Sequence, residues 1–410
     1  MTLREFEPNF PEARVWGYQG PKKIMFGAGA VESSVGHEAK RFGSKIVLIT
    51  DKGVRKAGLP DKVSGFLSKE GLKVETYDEI SGEPTSDVMR RAVEFGRHGN
   101  YDAVIAVGGG SSIDTAKMVA ACLTNQGDLM TLVNPVEDVI KTPTKPKILI
   151  PTTSGTGSEV TPDAVMIEGE YKTFASSPNL FADVAIVDPM MTVSGPPRLT
   201  AVCALDALAQ NIESFLGAYS NPISDGQALE GARLIFAYLR RAYDDGNDLE
   251  ARWGLGLAAM MGGLVIGYPW TKCLSLGHCI AEAAGPKWRI PHGAICGLAL
   301  PYFLEFSTPT CMSKLARLAA VIGADVHGIS TRQAARIVVQ EVVDLLKDVE
   351  MPVSLKEWGV QESEIPPFAD YIFKERQHMY LLPKFNARKL TSDNTRMLME
   401  HMYRGEIEQA

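Results

Sequence analysis

The fold class follows from residues 101–117, Tyr101-Asp102-Ala103-Val104-Ile105-Ala106-Val107-Gly108-Gly109-Gly110-Ser111-Ser112-Ile113-Asp114-Thr115-Ala116-Lys117. The apolar run from Ala103 to Val107 is typical of a strand that is buried on both faces of a parallel sheet. Three glycines follow, and Ser111 and Ser112 come where a helix would have its N-cap. The stretch therefore predicts a strand, a glycine turn and a helix in succession.

This glycine turn is a candidate anion site. Glycine lets the backbone approach a phosphate closely, and the free N–H groups and dipole of a helix start favour negative charge. An ordinary tight turn without a ligand has the same composition, so the three glycines alone leave both interpretations open. Their spacing also differs from the common dinucleotide fingerprint, G-x-G-x-x-G.

The length and composition describe a globular protein of two domains, which we expect at 1–195 and 196–410. The 410 residues exceed the size at which one core stops growing, and 45% hydrophobic and 22% charged residues are ordinary values. A net charge of −7 argues against nucleic acid or an anionic membrane as a partner, and we expect no membrane span. Scattered cysteines and an N-terminus without a signal-peptide core predict free thiols and a cytoplasmic location.

The first half of the chain alternates strand and helix patterns. Strands are predicted at 45–51, 73–77, 103–107, 147–150 and 183–187. Helices are predicted at 59–70 and 86–97, between the strands. Such alternation predicts an α/β domain with a doubly wound parallel sheet.

Two polar segments follow strands of this sheet, where ligands bind in α/β folds. Asp51 ends the strand 45–51, and a carboxylate there can accept hydrogen bonds from ribose hydroxyls and would repel a 2′-phosphate. A helix cap is an equal alternative for Asp51. After strand 147–150 comes Thr152-Thr153-Ser154-Gly155-Thr156-Gly157-Ser158-Glu159. Its hydroxyls and glycines favour a second wall of a phosphate or nicotinamide site over a plain loop.

The second half of the chain, from about residue 196, has helical periodicity and few strand signals. The helical segments cover 198–219, 222–243, 247–267, 272–285, 294–306, 312–322, 330–348 and 392–403. This half therefore predicts an all-α domain.

A few polar side chains stand out in the apolar helices of this half. Asp206 and Gln210 are four residues apart, as are His278 and Glu282, so each pair shares one helix face. His292 lies between a proline and a glycine at the start of the next helix. An aspartate and two histidines suit a divalent metal with one position open for substrate. Each residue alone is explained as well by a solvated face, a core histidine or a cap.

These segments together resemble the iron-containing, or group III, alcohol dehydrogenases over nearly the whole chain. The resemblance rests on the two glycine-containing segments, residues 108–117 and 151–159, and on Asp206-Ala207-Leu208-Ala209 and Ile290-Pro291-His292-Gly293. It implies the dehydroquinate synthase-like architecture of that family. An N-terminal α/β dinucleotide-binding domain would be followed by an all-α metal and substrate domain.

The resemblance also assigns roles by position. Asp51 would bind the adenosine ribose, which favours NAD over NADP. The implied cofactor-binding residues are Asp51, Gly109, Gly110, Ser111, Thr152, Thr153, Thr156 and Lys172. The implied metal positions are Asp206, Gln210, His278 and His292, and the predicted catalytic residues are His278, Glu282 and Lys172.

The chain departs from the family at two positions. Gln210 stands where the usual fourth ligand is histidine, and a neutral amide is a poor ligand, so we expect lower metal affinity. Glu282 stands where a further histidine is frequent, and could supply a carboxylate ligand or take over proton transfer. The similar glycerol dehydrogenases use zinc with three such ligands and the similar maleylacetate reductases use no metal, so iron, zinc and no metal stay open.

The leading hypothesis is reversible hydride transfer between NAD and a small alcohol, aldehyde or ketone, with iron or zinc as Lewis acid. The alternatives are a metal-independent reductase, a lyase or cyclase on the dehydroquinate synthase-like scaffold, and an NAD-binding protein without turnover. We expect a homo-oligomer such as a dimer, with a small-molecule substrate and no nucleic acid partner. Basic and aromatic residues flank the predicted metal helices, namely Trp270, Lys272, Lys287, Trp288 and Arg289. They are explained equally well by an anionic substrate and by solvated surface charges.

Overall fold

The structure is a computed structural model that describes residues 17–135, 137–169, 171–267, 275–379 and 382–407. The described chain divides into two compact units. The first, here called the sheet unit, comprises Gln19–Pro196 and Asp245–Gly267. The second, the helical unit, contains Pro197–Asp244 and the described chain after residue 274.

The sheet unit contains a six-stranded parallel sheet and a separate antiparallel hairpin. The strands of the sheet are β1 (Ile24–Phe26), β2 (Lys45–Asp51), β3 (Lys73–Ile80), β4 (Ala103–Gly108), β5 (Lys147–Pro151) and β8 (Val184–Val187). The hairpin consists of β6 (Asp163–Glu168) and β7 (Tyr171–Ser176). The strand order in the sheet is β1-β8-β5-β4-β2-β3.

Helices connect the strands of this unit. They are α1 (Ala30–Lys40), α2 (Lys52–Lys56), α3 (Leu59–Lys69), α4 (Ser86–Gly99) and α5 (Gly110–Cys122). Single 3₁₀ turns lie at Leu129–Leu132, Ser158–Val160, Pro178–Leu180 and Pro189–Met191. The predicted alternation is confirmed, and the structure adds β1, α1 and the hairpin, which the sequence patterns do not predict.

The inner strands β2, β4, β5 and β8 are buried on both faces of the sheet, which explains their continuous apolar runs. Along β2, Ile46 and Leu48 belong to one hydrophobic core, and Val47 and Ile49 belong to the other. Successive side chains of a strand point to opposite faces, so one run of valine, isoleucine and leucine fills both cores.

Helix α8 (Leu249–Ile266) belongs to the sheet unit, although it follows the first helices of the other unit in the chain. By length and composition alone it could cross a membrane, with a mean hydropathy of 1.3. This differs from the prediction that no segment reaches membrane-spanning length. Two thirds of the helix, 67%, is buried in the protein, as in a core helix, and Met260 and Leu264 pack into one of the two cores.

The helical unit contains no strand within its described residues. Its helices are α6 (Pro197–Leu216), α7 (Pro222–Asp244), α9 (Leu276–Trp288), α10 (His292–Val321), α11 (Thr331–Asp348), α12 (Ile365–Tyr371), α13 (Gln377–Met379), α14 (Leu382–Phe385) and α15 (Ser392–Arg404). A 3₁₀ turn lies at Glu362–Glu364 and a π-helical segment at Ile372–Arg376. The two helices predicted at 294–306 and 312–322 form one element, α10, with non-helical backbone at Cys311, two residues after Pro309.

Candidate cofactor and metal sites

The predicted cofactor residues lie at one edge of the sheet. Strand β4 pairs with β2 on one side and with β5 on the other, and Gly108 is in register with Pro151. Because all three strands are parallel, Asp51, Gly109 and Thr152 follow their carboxyl ends at the same edge. The chain order reverses between β2 and β4, which is where ligands bind in doubly wound sheets.

Helix α5 begins at Gly110, with Gly109 in an extended conformation as its N-cap and no side-chain hydrogen bond to the cap. The prediction that Ser111 and Ser112 cap the helix is therefore wrong: they belong to its first turn. A helix start without a side-chain cap leaves its N–H groups available to an anion. This arrangement suits the predicted pyrophosphate position of Gly109, Gly110 and Ser111.

The two predicted loops meet at Gly110. A Cβ at this position would lie 2.9 Å from both Oγ1 and Cγ2 of Thr156. Oγ1 of Thr153 would lie 3.3 Å from a Cβ at Gly109. Glycine is thus required for this close approach, and Thr153 and Thr156 face the start of α5. Thr152 is tied to the same turn, since its N–H donates to the carbonyl of Gly108 at 3.0 Å.

Asp51 is the N-cap of α2, which is the alternative to a ribose contact. Its Oδ1 accepts hydrogen bonds from the backbone N–H groups of Gly53 and Val54, both at 2.9 Å, at the start of α2. Its Oδ2 accepts a hydrogen bond from the Ser112 hydroxyl at 3.0 Å. Asp51 therefore joins β2, α2 and α5, and its ribose contact stays a prediction.

Lys172 lies on β7, in the hairpin that the sequence analysis missed. Its Nζ donates to Oε1 of Glu83 at 2.9 Å, and the lysine side chain is 6% exposed. Glu83 thus compensates the charge of Lys172 in the described chain. The role of Lys172 beside the nicotinamide ribose, and in catalysis, stays a prediction.

A buried polar cluster behind the two loops was not predicted. The ammonium of Lys117 donates to Oγ of Ser158 at 2.9 Å, to Oγ1 of Thr161 at 3.1 Å and to the carbonyl of Asp163 at 2.6 Å. Ser158 in turn donates to Asp114, whose other carboxylate oxygen accepts from the Val165 backbone. Burial raises the pKa of Asp114 and lowers that of Lys117. The cluster fixes the loop after β5 against α5.

The metal-site candidates converge within the helical unit. Helix α6 supplies Asp206, α9 supplies His278, and α10 supplies His292 together with Cys296. One donor atom from each of these four residues lies within 4.8 Å of all the others. Nε2 of His278 is 3.4 Å and Nε2 of His292 is 3.8 Å from Oδ1 of Asp206. A carboxylate, two imidazoles and a thiol are a donor set that suits zinc or another transition-metal dication.

Close packing of α10 on α6 brings His292 to Asp206. A Cβ at Gly293 would lie 2.1 Å from the carbonyl oxygen of Val202 and 3.0 Å from Cβ of Asp206. No side chain fits there, so the glycine after His292 lets the start of α10 lie directly against α6. This explains physically why a glycine follows this histidine.

Glu213 is a site residue that the sequence analysis missed. It is fully buried, and its Oε1 lies 2.8 Å from Nδ1 of His278. Its Oε2 accepts hydrogen bonds from the backbone N–H and the hydroxyl of Ser275, at 2.8 and 2.7 Å. A carboxylate on Nδ1 orients the imidazole and leaves Nε2 as the metal-binding atom. The signal was present, since Glu213 is seven residues after Asp206 on one helix face.

Burial and neighbouring polar groups act in opposite directions on the titrating groups of the site. Burial lowers the pKa of His278, but interactions with Cys296, Glu213 and Asp206 outweigh it and raise this pKa well above its ordinary value. Burial raises the pKa of the Cys296 thiol to about 12. Imidazole and thiolate ligands bind metals in their deprotonated forms, so a dication bound by His278 and Cys296 would displace protons from both groups.

Gln210 and Glu282, the two residues that depart from the family pattern, differ in their position relative to the candidate metal site. Gln210 is buried and its Nε2 donates to Oδ1 of Asp206 at 3.4 Å. Glu282 is buried too, but its Oε2 lies 3.6 Å from the Arg376 guanidinium, and it does not belong to the converging donor group found among the described residues. Gln210 is therefore next to the candidate metal site, whereas Glu282 has a cation as its partner.

The basic cluster that indicated an anionic substrate is only partly described. Lys287 and Arg289 are exposed at the end of α9, as solvated charges would be. The indole N–H of Trp288 donates to Oε1 of Glu364 at 3.1 Å. Trp270 and Lys272, like Cys273, lie outside the described residues. The five described cysteines are free, as expected.

Known proteins are similar to this chain in sequence and in architecture. A sequence model described as iron-containing alcohol dehydrogenase matches residues 21–189, and one of the C-terminal part of that family matches residues 200–403. Long-chain-alcohol dehydrogenase 1 of Geobacillus thermodenitrificans is 36% identical over 84% of this chain and 87% of its own length. The NAD-dependent methanol dehydrogenase of Bacillus methanolicus is 31% identical over 87% of this chain and 92% of its own length.

A solved structure gives the same result for the fold. A crystal structure of 1,3-propanediol oxidoreductase matches with a TM-score of 0.89 at 28% identity, covering 95% of this chain and 100% of that one. The expected fold class and the family resemblance are therefore confirmed. The chain belongs to the iron-containing alcohol dehydrogenase family.

Proposed function

We propose that this protein is an NAD-dependent alcohol dehydrogenase that interconverts a small alcohol and its aldehyde or ketone with the help of a divalent metal. One observation carries the proposal: in a chain of this family, Asp206, His278 and His292 converge with their donor atoms within 4.8 Å. Two imidazoles and a carboxylate are the ligands of many catalytic zinc sites.

The chain's own residues would each have a defined task. Asp206, His278 and His292 would hold the metal, with Glu213 orienting His278. The turn at Gly109 and Gly110 would hold the cofactor pyrophosphate on the N–H groups of α5. NAD would carry the hydride, and a bound dication would act as a Lewis acid on the substrate oxygen.

Asp51 supports NAD as the preferred cofactor. Its carboxylate is held at the carboxyl end of β2 by three hydrogen bonds, so it cannot easily turn away from a ligand at this edge. A 2′-phosphate next to it would meet a fixed negative charge. Lys172 and Glu282 are proposed as further catalytic groups, Lys172 near the nicotinamide and Glu282 in proton transfer.

The related proteins differ in the alcohols that they are named for, from methanol to long-chain alcohols and 1,3-propanediol. We therefore propose the reaction class and not one substrate. A substrate panel should contain short and long aldehydes, a hydroxyaldehyde and one aldehyde that carries an acidic group. The last of these tests whether Lys287 and Arg289 act on an anion.

The test is metal content of the purified protein by elemental analysis, before and after chelation, with NADH oxidation followed on this panel. We expect a stoichiometric metal, with turnover that is lost on chelation and restored by one kind of ion. Turnover without any metal would overturn the Lewis-acid role and favour a metal-independent reductase. Absence of turnover on every aldehyde, despite NAD binding, would overturn the dehydrogenase and favour a binding protein.

A further inference from the structure

Cys296 is the residue of the metal-site group that no part of the sequence analysis identified. It lies on α10, four residues after His292, so the two side chains share one helix face. Its Sγ is 3.6 Å from Nε2 of His292, and it is fully buried. Its sulfur thus faces the place where the carboxylate and the two imidazoles converge.

We propose that Cys296 is the fourth protein ligand of the metal, and that its sulfur takes the place of the missing histidine at position 210. The inference rests on the proposed function, because it concerns the same metal site. The proposed function needs only Asp206, His278 and His292 and any divalent metal. The present inference adds Cys296 as a ligand and predicts which metal is preferred.

The spacing of the donor atoms supports this assignment. Zinc–sulfur and zinc–nitrogen bonds of about 2.3 and 2.1 Å put the two ligand atoms of a tetrahedral site about 3.5 Å apart. The separation between Cys296 Sγ and His292 Nε2 is 3.6 Å, and that between His278 Nε2 and Asp206 Oδ1 is 3.4 Å. The separation between His292 Nε2 and Asp206 Oδ1 is 3.8 Å, and all four donor atoms lie within 4.8 Å of one another, so small shifts of the side chains would bring them onto one dication.

The contacts of Gln210 support a different role for that side chain. Its amide Nε2, which cannot bind a cation, is the atom that faces Oδ1 of Asp206 at 3.4 Å. Gln210 therefore acts as a hydrogen-bond donor that positions the Asp206 carboxylate. The sulfur comes from a different helix, α10, and joins the donor group of Asp206, His278 and His292.

The chemistry of the sulfur predicts the preferred metal. Thiolate is a soft ligand, and N/O/S sites bind Zn²⁺ more tightly than Fe²⁺. When the metal–sulfur bond forms, the thiol S–H bond breaks and its proton goes to solvent, because a coordinating thiol is deprotonated. A fourth ligand does not close the site to substrate, since catalytic zinc can expand to five ligands. We therefore expect a zinc enzyme in a family that is named for iron.

A buried cysteine can also serve simply as a small apolar residue. Cys311 offers a matched comparison, because it is a buried free cysteine on the same helix and lies outside the metal-site group. Only a ligand forms a sulfur–metal bond, so detection of that bond distinguishes a ligand role of Cys296 from a packing role.

The experiment replaces the metal by Co²⁺ and records the near-ultraviolet and visible spectrum of the wild type, Cys296→Ser, Cys311→Ser and Gln210→Ala. We expect a sulfur-to-cobalt charge-transfer band in the wild type, in Cys311→Ser and in Gln210→Ala, and its loss in Cys296→Ser. Competition between Zn²⁺ and Fe²⁺, followed by elemental analysis, should show zinc retained by the wild type. Zinc affinity should fall by at least about tenfold in Cys296→Ser.

The outcomes separate this inference from the proposed function. Stoichiometric cobalt without the charge-transfer band, or a band that survives in Cys296→Ser, would overturn the sulfur ligand and leave the dehydrogenase intact. A wild type that binds neither cobalt nor zinc would overturn the metal centre itself. If Cys296→Ser does not fold, zinc X-ray absorption of the wild type decides the question. One sulfur at about 2.3 Å supports the inference, and only nitrogen and oxygen neighbours overturn it.

Discussion

Nδ1 of His278 lies 2.8 Å from Oε1 of Glu213. Glu213 is on α6, and its carboxylate is fully buried next to the start of α9. The same carboxylate accepts hydrogen bonds from Ser275. It therefore fixes both the imidazole and the beginning of the helix that carries it. Outer partners of this kind typically contribute a factor of about 10 to 100 to metal affinity.

We predict that Glu213→Gln weakens zinc binding by about tenfold or more, because the amide removes the negative charge that raises the basicity of His278. Zinc affinity, measured by competition with a chromophoric chelator, checks the prediction. Glu230→Gln on α7, a partly exposed glutamate paired with Arg233, is the matched control. Equal zinc affinities of Glu213→Gln and the wild type would contradict a role for Glu213 at the metal.

A second prediction concerns cofactor choice at Asp51. Asp51→Asn keeps an oxygen for the cap of α2 but removes the charge, whereas Asp51→Ala removes both. We expect the ratio of kcat/KM with NADPH to that with NADH to rise about tenfold in both variants, a change of about 1.4 kcal/mol. Only Asp51→Ala should also lose the cap, which typically contributes about 1 kcal/mol.

Steady-state kinetics with both cofactors and urea unfolding measure these two effects separately. A stability loss without any change in cofactor preference would mean that Asp51 acts only as a cap. A change of preference in Asp51→Asn with unchanged stability would identify its charge as the determinant.

The third prediction concerns the buried ammonium of Lys117. Lys117→Met leaves the Asp114 carboxylate buried without its cation, and breaking such a pair typically costs about 3 to 5 kcal/mol. Lys117→Met combined with Asp114→Asn should recover part of this loss, because no buried charge is then left uncompensated. Urea unfolding of both variants checks the prediction.

The same variants test whether the cluster positions the cofactor loop. Since Lys117 holds Ser158 and Thr161, its loss should raise the Kd for NADH at a temperature where the variant is folded. Lys62→Met, at an exposed position of α3, is the control. A Lys117→Met variant that is less stable but binds NADH normally would restrict the cluster to a structural role.

Periodicity and turn chemistry predicted most of the fold, because each buried strand is one apolar run ended by glycine or a polar residue. The prediction missed the hairpin of β6 and β7. The apolar run of β6, Ala164 to Ile167, is only four residues long and lies between two acidic residues, and β7 has no such run, so the pairing between the two strands decides their structure. Likewise α8 belongs to the sheet unit through packing of Met260 and Leu264, which no local pattern reveals.

The candidate sites were predictable only where a residue type was unusual for its place. Asp206, His278 and His292 stood out in apolar helices, and they do converge. Glu213 and Cys296 did not stand out, because a glutamate or a cysteine on a helix is ordinary. Only the packing of α6, α9 and α10 brings both residues next to the histidines of the candidate metal site. The predicted cap of α5 lies two to three residues after the observed N-cap, Gly109, since an N-cap glycine has no side chain to identify it.

The last prediction concerns pH and Glu159, in the loop after β5. Burial raises the pKa of its carboxyl from 4.5 to about 7, although its own backbone N–H and the charge of Lys117 act in the opposite direction. Between these two values the folded protein keeps a proton that the unfolded chain has lost. The free energy of unfolding therefore falls as pH rises through this window, and the contribution of Glu159 is constant above and below it.

We predict that Glu159→Gln removes this dependence, because a neutral amide has no charge to desolvate. The free energy of unfolding of the variant minus that of the wild type should increase by up to about 3 kcal/mol from pH 4.5 to pH 8. Urea unfolding across this range, at constant metal content and without added NAD, measures the difference, with Glu168→Gln at an exposed position of the hairpin as control. A difference between Glu159→Gln and wild type that is the same at every pH would mean that the carboxyl ionises without cost in the folded protein. In that case its burial would have to be compensated by a partner such as Lys117.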